Sequence, residues 1–218
     1  MSLDLTLFTL LHLLMFAYWL GGDIGVFYSS FVLTDAKQTP QARMAAAKIL
    51  LNVDMVPRVC LLLSLPSGLA LATAKGWVGL DPLWIALAFA IAFAWIWLAF
   101  RLHVDHAAKA LGAIDRAIRP VFLLGLLGTG GAALTGMIEL PLFLALKLIA
   151  LGVAVMMGLI VRRILKPFGA AFAKLASEGG SPETDAEIAS SIGGTRKPVM
   201  VIWAMLLFAA YLGVATPT

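Results

Sequence analysis

Six long runs of apolar residues constrain this chain more than any other feature. They cover residues 5–33, 46–74, 83–101, 120–138, 141–165 and 198–216. A run of about 20 apolar residues is what an α-helix needs to cross a bilayer. With 61% of its 218 residues hydrophobic and 13% charged, the chain has more apolar surface than a soluble domain of this size needs. The sequence therefore predicts one all-α domain over residues 1–218, a polytopic membrane helical bundle of about six transmembrane helices.

The positions of Lys and Arg predict the orientation of this bundle. The connections after the first, third and fifth runs are rich in basic residues, whereas the other two connections contain Lys75 as their one basic residue. Because basic loops stay on the cytoplasmic side, we expect both termini outside a bacterial-type inner (plasma) membrane. Residues 175–194, rich in Gly, Ser and acidic residues, predict a cytoplasmic loop. The net charge of +4 suits contact with anionic lipid and does not imply nucleic acid.

The first apolar run contains two polar residues that are costly in hydrocarbon, His12 and Asp23. Helical spacing places both on one face together with Trp19, about 16 Å apart along the axis. His12 could bind haem or a metal, carry protons, or hydrogen-bond to a neighbouring helix. As a haem ligand it would need a second ligand, for which Met137, a water or a second chain are the candidates.

Lys147 is the corresponding polar residue of the fifth run. It lies at a depth similar to that of His12, because both runs begin at the outer surface. Ala150, Ala154 and Gly158 continue its helix face, and such a seam of small residues lets helices approach closely. We therefore expect Lys147 to point into the bundle; the alternative is a lysine that extends to the outer headgroups.

Charged residues also occur in the half of the bundle that faces the basic loops. Asp23, Asp54 and Arg58 could form a structural Asp–Arg pair between neighbouring helices, or a polar path below His12. Alternatively, Arg58, Arg101 or Arg119 could bind an anionic group such as a propionate. His103 and His106, at i, i+3 spacing, are interfacial residues that could also chelate a metal.

The chain contains a weak internal repeat with an offset of about 60 residues. Pro57-Arg58 opens an apolar run that is followed by Asp81-Pro82-Leu83-Trp84 and a second run. Arg119-Pro120 and Leu140-Pro141-Leu142-Phe143 occupy the same positions in the next pair of runs. The pattern fits a duplicated helical hairpin.

Several short motifs resemble a known family. They are Leu11-His12, Trp19-Leu20-Gly21-Gly22, Met55-Val56-Pro57-Arg58, Pro66-Ser67-Gly68, Leu144-Ala145-Leu146-Lys147-Leu148 and Arg196-Lys197-Pro198-Val199-Met200. Their order resembles the HemJ-type membrane protoporphyrinogen oxidases and the wider CopD-like membrane family. The resemblance implies that His12 binds haem b and that Lys147 is essential for catalysis.

Three functional hypotheses follow. The first is a haem-b-binding membrane redox protein, an oxidoreductase that passes electrons from a porphyrin substrate or another donor toward a quinone. In it, His12 ligates the haem, and Trp19, Arg58 and Met137 are further candidate cofactor contacts. The second is a CopD-like protein that binds or transports copper, with His12 as a metal ligand. The third is a non-catalytic membrane partner subunit, and homo-oligomers are compatible with all three.

Overall fold

The computed structural model describes residues 3–105 and 107–216 of the chain. Within these residues the chain forms eight helices and no strand: α1 (Leu3–Thr34), α2 (Pro40–Val53), α3 (Met55–Ala74), α4 (Pro82–Val104), α5 (Lys109–Leu134), α6 (Leu142–Ile164), α7 (Phe168–Glu178) and α8 (Pro182–Ala215). Six segments are long and apolar enough to cross a membrane, with α2 and α3 counted as one. The protein is thus an all-α polytopic bundle, as its apolar runs predict.

The bundle has two ends that differ in chemistry. The terminal end carries the first residues of α1, the last residues of α8, and the turns that join α3 to α4 and α5 to α6. The basic end carries the connections after α1, α4 and α6, together with α2 and α7. Helices α1 and α3 run antiparallel, since Gly22 approaches Pro57 and Gly68 approaches His12. Helices α5 and α6 also run antiparallel, since Gly152 approaches Leu127 and Gly130 approaches Ile149. His12, near the terminal end of α1, accordingly lies beside Gly68 of α3.

The second apolar run differs from its predicted boundaries of 46–74. Helix α2 begins six residues earlier, at Pro40, because the Thr39 hydroxyl accepts a hydrogen bond from the Ala42 N–H and caps the helix. The chain then breaks at Asp54, between α2 and α3. Pro57 supplies the reason, since it has no N–H to donate to the Val53 carbonyl four residues before it.

The predicted cytoplasmic loop over residues 175–194 is wrong for most of its length. Helix α7 continues to Glu178 and α8 begins at Pro182, so the connection is only residues 179–181. The Ser181 hydroxyl caps α8 by accepting from the Thr184 N–H at 3.2 Å. Ile188 and Ile192, spaced four residues apart among polar neighbours, are both buried and hold this part of α8 against the bundle.

Two further predicted boundaries move for identifiable reasons. The sixth run was expected to begin at residue 198, but Pro198 lies inside α8, which continues through it. The fourth run, expected over 120–138, is α5, which begins at Lys109, continues through Pro120 and ends at Leu134. It ends there because Gly136 takes a positive φ of 76° and the Met137 N–H donates back to the Ala132 carbonyl.

The same helix-ending turn closes both hairpins of the internal repeat. Gly76 has a φ of 71°, and the Trp77 N–H donates to the Ala72 carbonyl at 2.9 Å. The equivalent bond after α5, from Met137 to Ala132, is also 2.9 Å. The two hairpins, α3–α4 and α5–α6, therefore share a closing geometry that agrees with the repeat in the sequence.

A cluster of apolar residues closes the basic end. It joins the end of α1, the α2 and α7 helices and the start of α8, and consists of Leu33, Ala46, Ala47, Leu50, Phe168, Ala171, Leu175, Ile188 and Ile192. Arg43 of α2, 2% exposed, lies within it. Its Nε donates to the Leu33 carbonyl at 3.0 Å, and its Nη1 contacts Asp185 of α8 at 2.5 Å. One guanidinium thus ties three helices together.

We expect Arg43→Met to destabilise the protein by about 2 kcal/mol, because it removes two charge-assisted hydrogen bonds and leaves the Leu33 carbonyl and Asp185 without their donor. Unfolding of the purified protein by SDS, followed by circular dichroism, measures this change. Lys48→Met on the exposed side of the same helix is the matched control and should unfold like the wild type. Equal stability of the two variants would contradict the role given to Arg43.

Candidate functional site

The ring of His12 is held against α3 by a defined hydrogen bond. Its Nδ1 lies 3.0 Å from the Oγ of Ser67, a side chain that is 0% exposed. The Ser67 hydroxyl also lies 3.2 Å from the Ser64 carbonyl, so its single proton has two acceptors within reach, this carbonyl and Nδ1. When the proton goes to the carbonyl, Ser67 accepts from the Nδ1–H of His12. The lone pair of Nε2 is then available to a ligand.

Gly68 explains how the ring fits so close to α3. A Cβ atom at this position would lie 3.2 Å from Cε1 of His12, tighter than ordinary van der Waals contact. Glycine thus lets the ring lie directly on the α3 backbone, next to the hydroxyl that orients it. The Pro66-Ser67-Gly68 segment of the sequence supplies both contacts of His12 with α3.

Lys147 points from α6 toward α8. Its Nζ lies 2.9 Å from where a Cβ of Gly213 would be, so the ammonium occupies the space that this glycine leaves open. It also lies close enough to His12 to interact with it electrostatically. As predicted from the small-residue seam, Lys147 faces a neighbouring helix of the bundle. We call the group of His12, Ser67, Gly68, Lys147 and Gly213, which brings together α1, α3, α6 and α8, the His12 site.

Two of the predicted cofactor contacts lie elsewhere. Met137 is in the turn after α5 and is 81% exposed. The structure therefore gives no support to Met137 as a second ligand of His12. Trp19 is buried in the core beside Cys60, Ala154 and Leu206. It packs the centre of the bundle, between the levels of His12 and Asp23.

A second polar region lies nearer the basic end. Here a cavity of about 210 Å³ is lined by all three residues of the predicted polar path, Asp23, Asp54 and Arg58. We call it the basic-end cavity. Arg119 of α5 and Arg162 of α6 also line it. His12 and Lys147 line neither this cavity nor a second one beside Met15, Met55 and Phe100.

Two carboxylates of this region, Asp54 and Asp115, each pair with an arginine one helical turn away. Arg58 binds Asp54 through an i, i+4 contact, whereas the sequence predicted a pair between neighbouring helices. Arg119 makes the same contact with Asp115, donating from Nε at 2.9 Å and from Nη2 at 2.7 Å. The indole N–H of Trp95 in α4 also donates to Asp115 at 3.0 Å. These bonds stabilise two acidic residues at the ends of apolar helices.

Asp23 lies among indole groups. Trp19 and Trp203 both lie close enough to interact with its carboxyl group, and so does the Asp54 carboxylate. The buried Nε1 of Trp203 makes no hydrogen bond of normal distance and angle to any described residue, so its contact with Asp23 is a longer polar interaction. Trp203 also packs on Phe27, with ring centroids 5.0 Å apart.

Several of these residues were missed from the sequence, although a signal for some was present. Asp54 and Arg58 repeat the spacing of Asp115 and Arg119, and each pair begins one hairpin of the internal repeat. No spacing pointed to Arg162 or Trp203, because their partners lie on other helices. His103 interacts with the Asn52 side chain at 3.3 Å. His106, its expected chelation partner, lies outside the described residues.

The chemistry of the described residues limits the ligands that these sites can bind. They contain no group of three or more His, Cys, Asp or Glu side chains arranged to bind a metal ion. The His12 site offers one imidazole nitrogen and one ammonium group, and the basic-end cavity offers guanidinium groups. Comparison with protein-family models, curated proteins and solved structures finds no match to this chain.

We expect Asp115→Ala to destabilise the protein by about 3 kcal/mol, because it leaves the mostly buried Arg119 without its counter-ion and removes the acceptor of Trp95. The midpoint of SDS-induced unfolding measures the loss. Glu139→Ala, which removes an exposed carboxylate at the terminal end, should leave that midpoint unchanged. If both variants unfold at the wild-type midpoint, the Asp115 network does not stabilise the bundle.

Proposed function

We propose that this protein is a haem-b-binding redox protein of a bacterial-type plasma membrane, with both termini outside, in which His12 is an axial ligand. One observation carries the proposal: the hydrogen bond between Ser67 and Nδ1 orients the His12 ring, and Nε2 is the ring nitrogen left for a ligand. Histidines that bind metals or haem are typically oriented by such a hydrogen bond from the other ring nitrogen. The resemblance to HemJ-type proteins supports the same residue.

The residues of the His12 site suit this role. Ser67 orients the imidazole, and Gly68 allows its close approach to α3. Lys147 interacts electrostatically with the ring, and its ammonium group can bind a carboxylate of a ligand or raise the reduction potential of the site. When bound, haem supplies one-electron chemistry, and the axial ligand and nearby charges tune its potential. A water or a second chain is the expected source of the other axial ligand, because Met137 is exposed.

The proposed reaction is oxidation of a porphyrinogen or a similar donor, with a quinone as the electron acceptor. Within this proposal, Lys147 is a catalytic residue that contacts the substrate carboxylate, and the role of Ser67 is positioning. His12 and Lys147 both lie toward the terminal end of the bundle, which supports a single site for haem ligation and substrate binding.

We expect protein purified from haem-replete cells to show a Soret absorption band that His12→Ala abolishes, since the variant lacks the ligating nitrogen. His103→Ala is the matched control, because it removes a histidine at the basic end and should retain the band. A colourless wild type, or a His12→Ala variant with an unchanged Soret band, would refute haem ligation by His12.

We expect Ser67→Ala to weaken haem retention by about 10- to 100-fold, because the imidazole loses the hydrogen bond that fixes its orientation. Haem transfer to apomyoglobin measures retention. Ser64→Ala is the control: it keeps the backbone carbonyl that accepts from Ser67 and removes a hydroxyl of the same helix. Equal retention in both variants would show that the Ser67 hydrogen bond does not support the ligand.

A second candidate function is transport or binding of copper or another metal, as in CopD-like proteins. The observation that favours it is that Asp23, Asp54 and Arg58 line one cavity, as a polar path below His12 requires. Metal analysis and absorption spectra of the same purified sample distinguish the two candidates. Bound copper without haem would favour transport, and bound haem without copper would favour the redox function.

A further inference from the structure

The basic-end cavity gathers three guanidinium groups from three helices: Arg58 of α3, Arg119 of α5 and Arg162 of α6. Arg162 interacts electrostatically with both of the others. Like charges that line one partly enclosed cavity repel one another, and water screens this repulsion only in part. Negative charge in the cavity therefore stabilises the arrangement.

The carboxylates of the protein compensate only part of this charge. Asp54 pairs with Arg58, and Asp115 pairs with Arg119 through two hydrogen bonds. Arg162 reaches Asp115 only at 4.0 Å, on an oxygen that already accepts from Arg119. Among the described residues, no other carboxylate makes an ion pair with Arg162.

Asp23 does not fill this role, although it lines the same cavity. Its electrostatic partners are Asp54 and the indoles of Trp19 and Trp203, and it is not among the charges that act on Arg162. The cavity thus has a carboxyl group on one wall and an under-compensated guanidinium on another. Arg162, about 40% exposed, remains accessible to a ligand from the basic end.

Between these polar groups the walls are apolar. They include Leu61, Val155, Leu159 and Ile202, together with the open face of Gly158. The volume of 210 Å³ corresponds to about seven water molecules at roughly 30 Å³ each. It is smaller than the roughly 300 Å³ at which pockets for drug-sized ligands begin. A complete porphyrin is too large, whereas a short chain or a single ring fits.

We propose that the basic-end cavity binds a small amphipathic anion, with its carboxylate or phosphate on Arg162 and its apolar body beside Gly158. An arginine fork matches these anionic groups in geometry and binds them through charge-assisted hydrogen bonds. The occupant is either a free organic acid or the headgroup of an anionic lipid, which share this chemistry. The proposal does not depend on haem, because the His12 site lies nearer the opposite end of α1.

Octanoate and octyl phosphate are suitable probes of the free acid, with octanol and octyltrimethylammonium as neutral and cationic comparisons. Calorimetric titration of the purified protein in phosphatidylcholine nanodiscs measures their binding. We expect the two anions to bind at least tenfold more tightly than octanol and the cation. Arg162→Gln should lose at least tenfold in octanoate affinity, whereas its neighbour Arg163→Gln, which lies outside the cavity, should not.

A pair of glycine variants tests whether a side chain that fills the cavity prevents binding. Gly158→Leu places a side chain in open space within the cavity and should abolish octanoate binding. Gly128→Leu makes the same substitution at an exposed position of α5 that also has open space, and should bind like the wild type. Circular dichroism and gel filtration identify the variants that fold, and this pair suffices should Arg162→Gln fail to do so.

Native mass spectrometry of protein from nanodiscs that contain phosphatidylglycerol tests the lipid as the source. Retention of this lipid by the wild type and its loss in Arg162→Gln or Gly158→Leu, without octanoate binding, would support the anion site with a lipid occupant. The proposal is overturned if octanol binds as tightly as octanoate, if all folded cavity variants bind like the wild type, or if neither anionic probe nor lipid is retained.

Discussion

The scarcity of water inside an apolar bundle governs where this chain places its polar side chains. Each hydroxyl or charged group must find a partner on its own helix or on a neighbouring one. Thr9, Ser29 and Thr73 donate to the carbonyl four residues before them, within their own helices. Asp54 and Asp115 likewise pair with an arginine one helical turn away. Polar groups with partners on other helices are therefore the ones that join the bundle together.

Two such groups define the polar regions of the molecule. At the terminal end, His12 and Lys147 bring together four helices through contacts with a serine and two glycines. Toward the basic end, arginines from α3, α5 and α6 surround a cavity. Trp19 and its apolar neighbours fill the core between these levels. The two regions are chemically distinct, since one offers an imidazole nitrogen and the other offers guanidinium groups.

The apolar runs predicted the fold because hydrophobic length is set by the thickness of a membrane and can be seen in the sequence alone. The small residues that share a helix face with Lys147 predicted, for a similar reason, that its side chain points into the bundle. The composition of one helix face follows from the spacing of residues in the sequence. The helical start of α8 was missed because only Ile188 and Ile192 carry its apolar face among polar residues. The role of Arg162 and the bond between His12 and Ser67 depend on how distant helices meet, which one sequence does not reveal.

The contact between Arg43 and Asp185 joins residues that are 142 positions apart in the chain. During synthesis, the guanidinium of Arg43 has no acidic partner on α8 until all of the earlier helices, α1 to α7, have left the ribosome. Closure of the basic end is therefore a late event, which requires the last helix to be in place. A truncated chain would retain this cation next to an incomplete apolar cluster, and so would differ from the finished protein in a way that quality-control proteases could recognise.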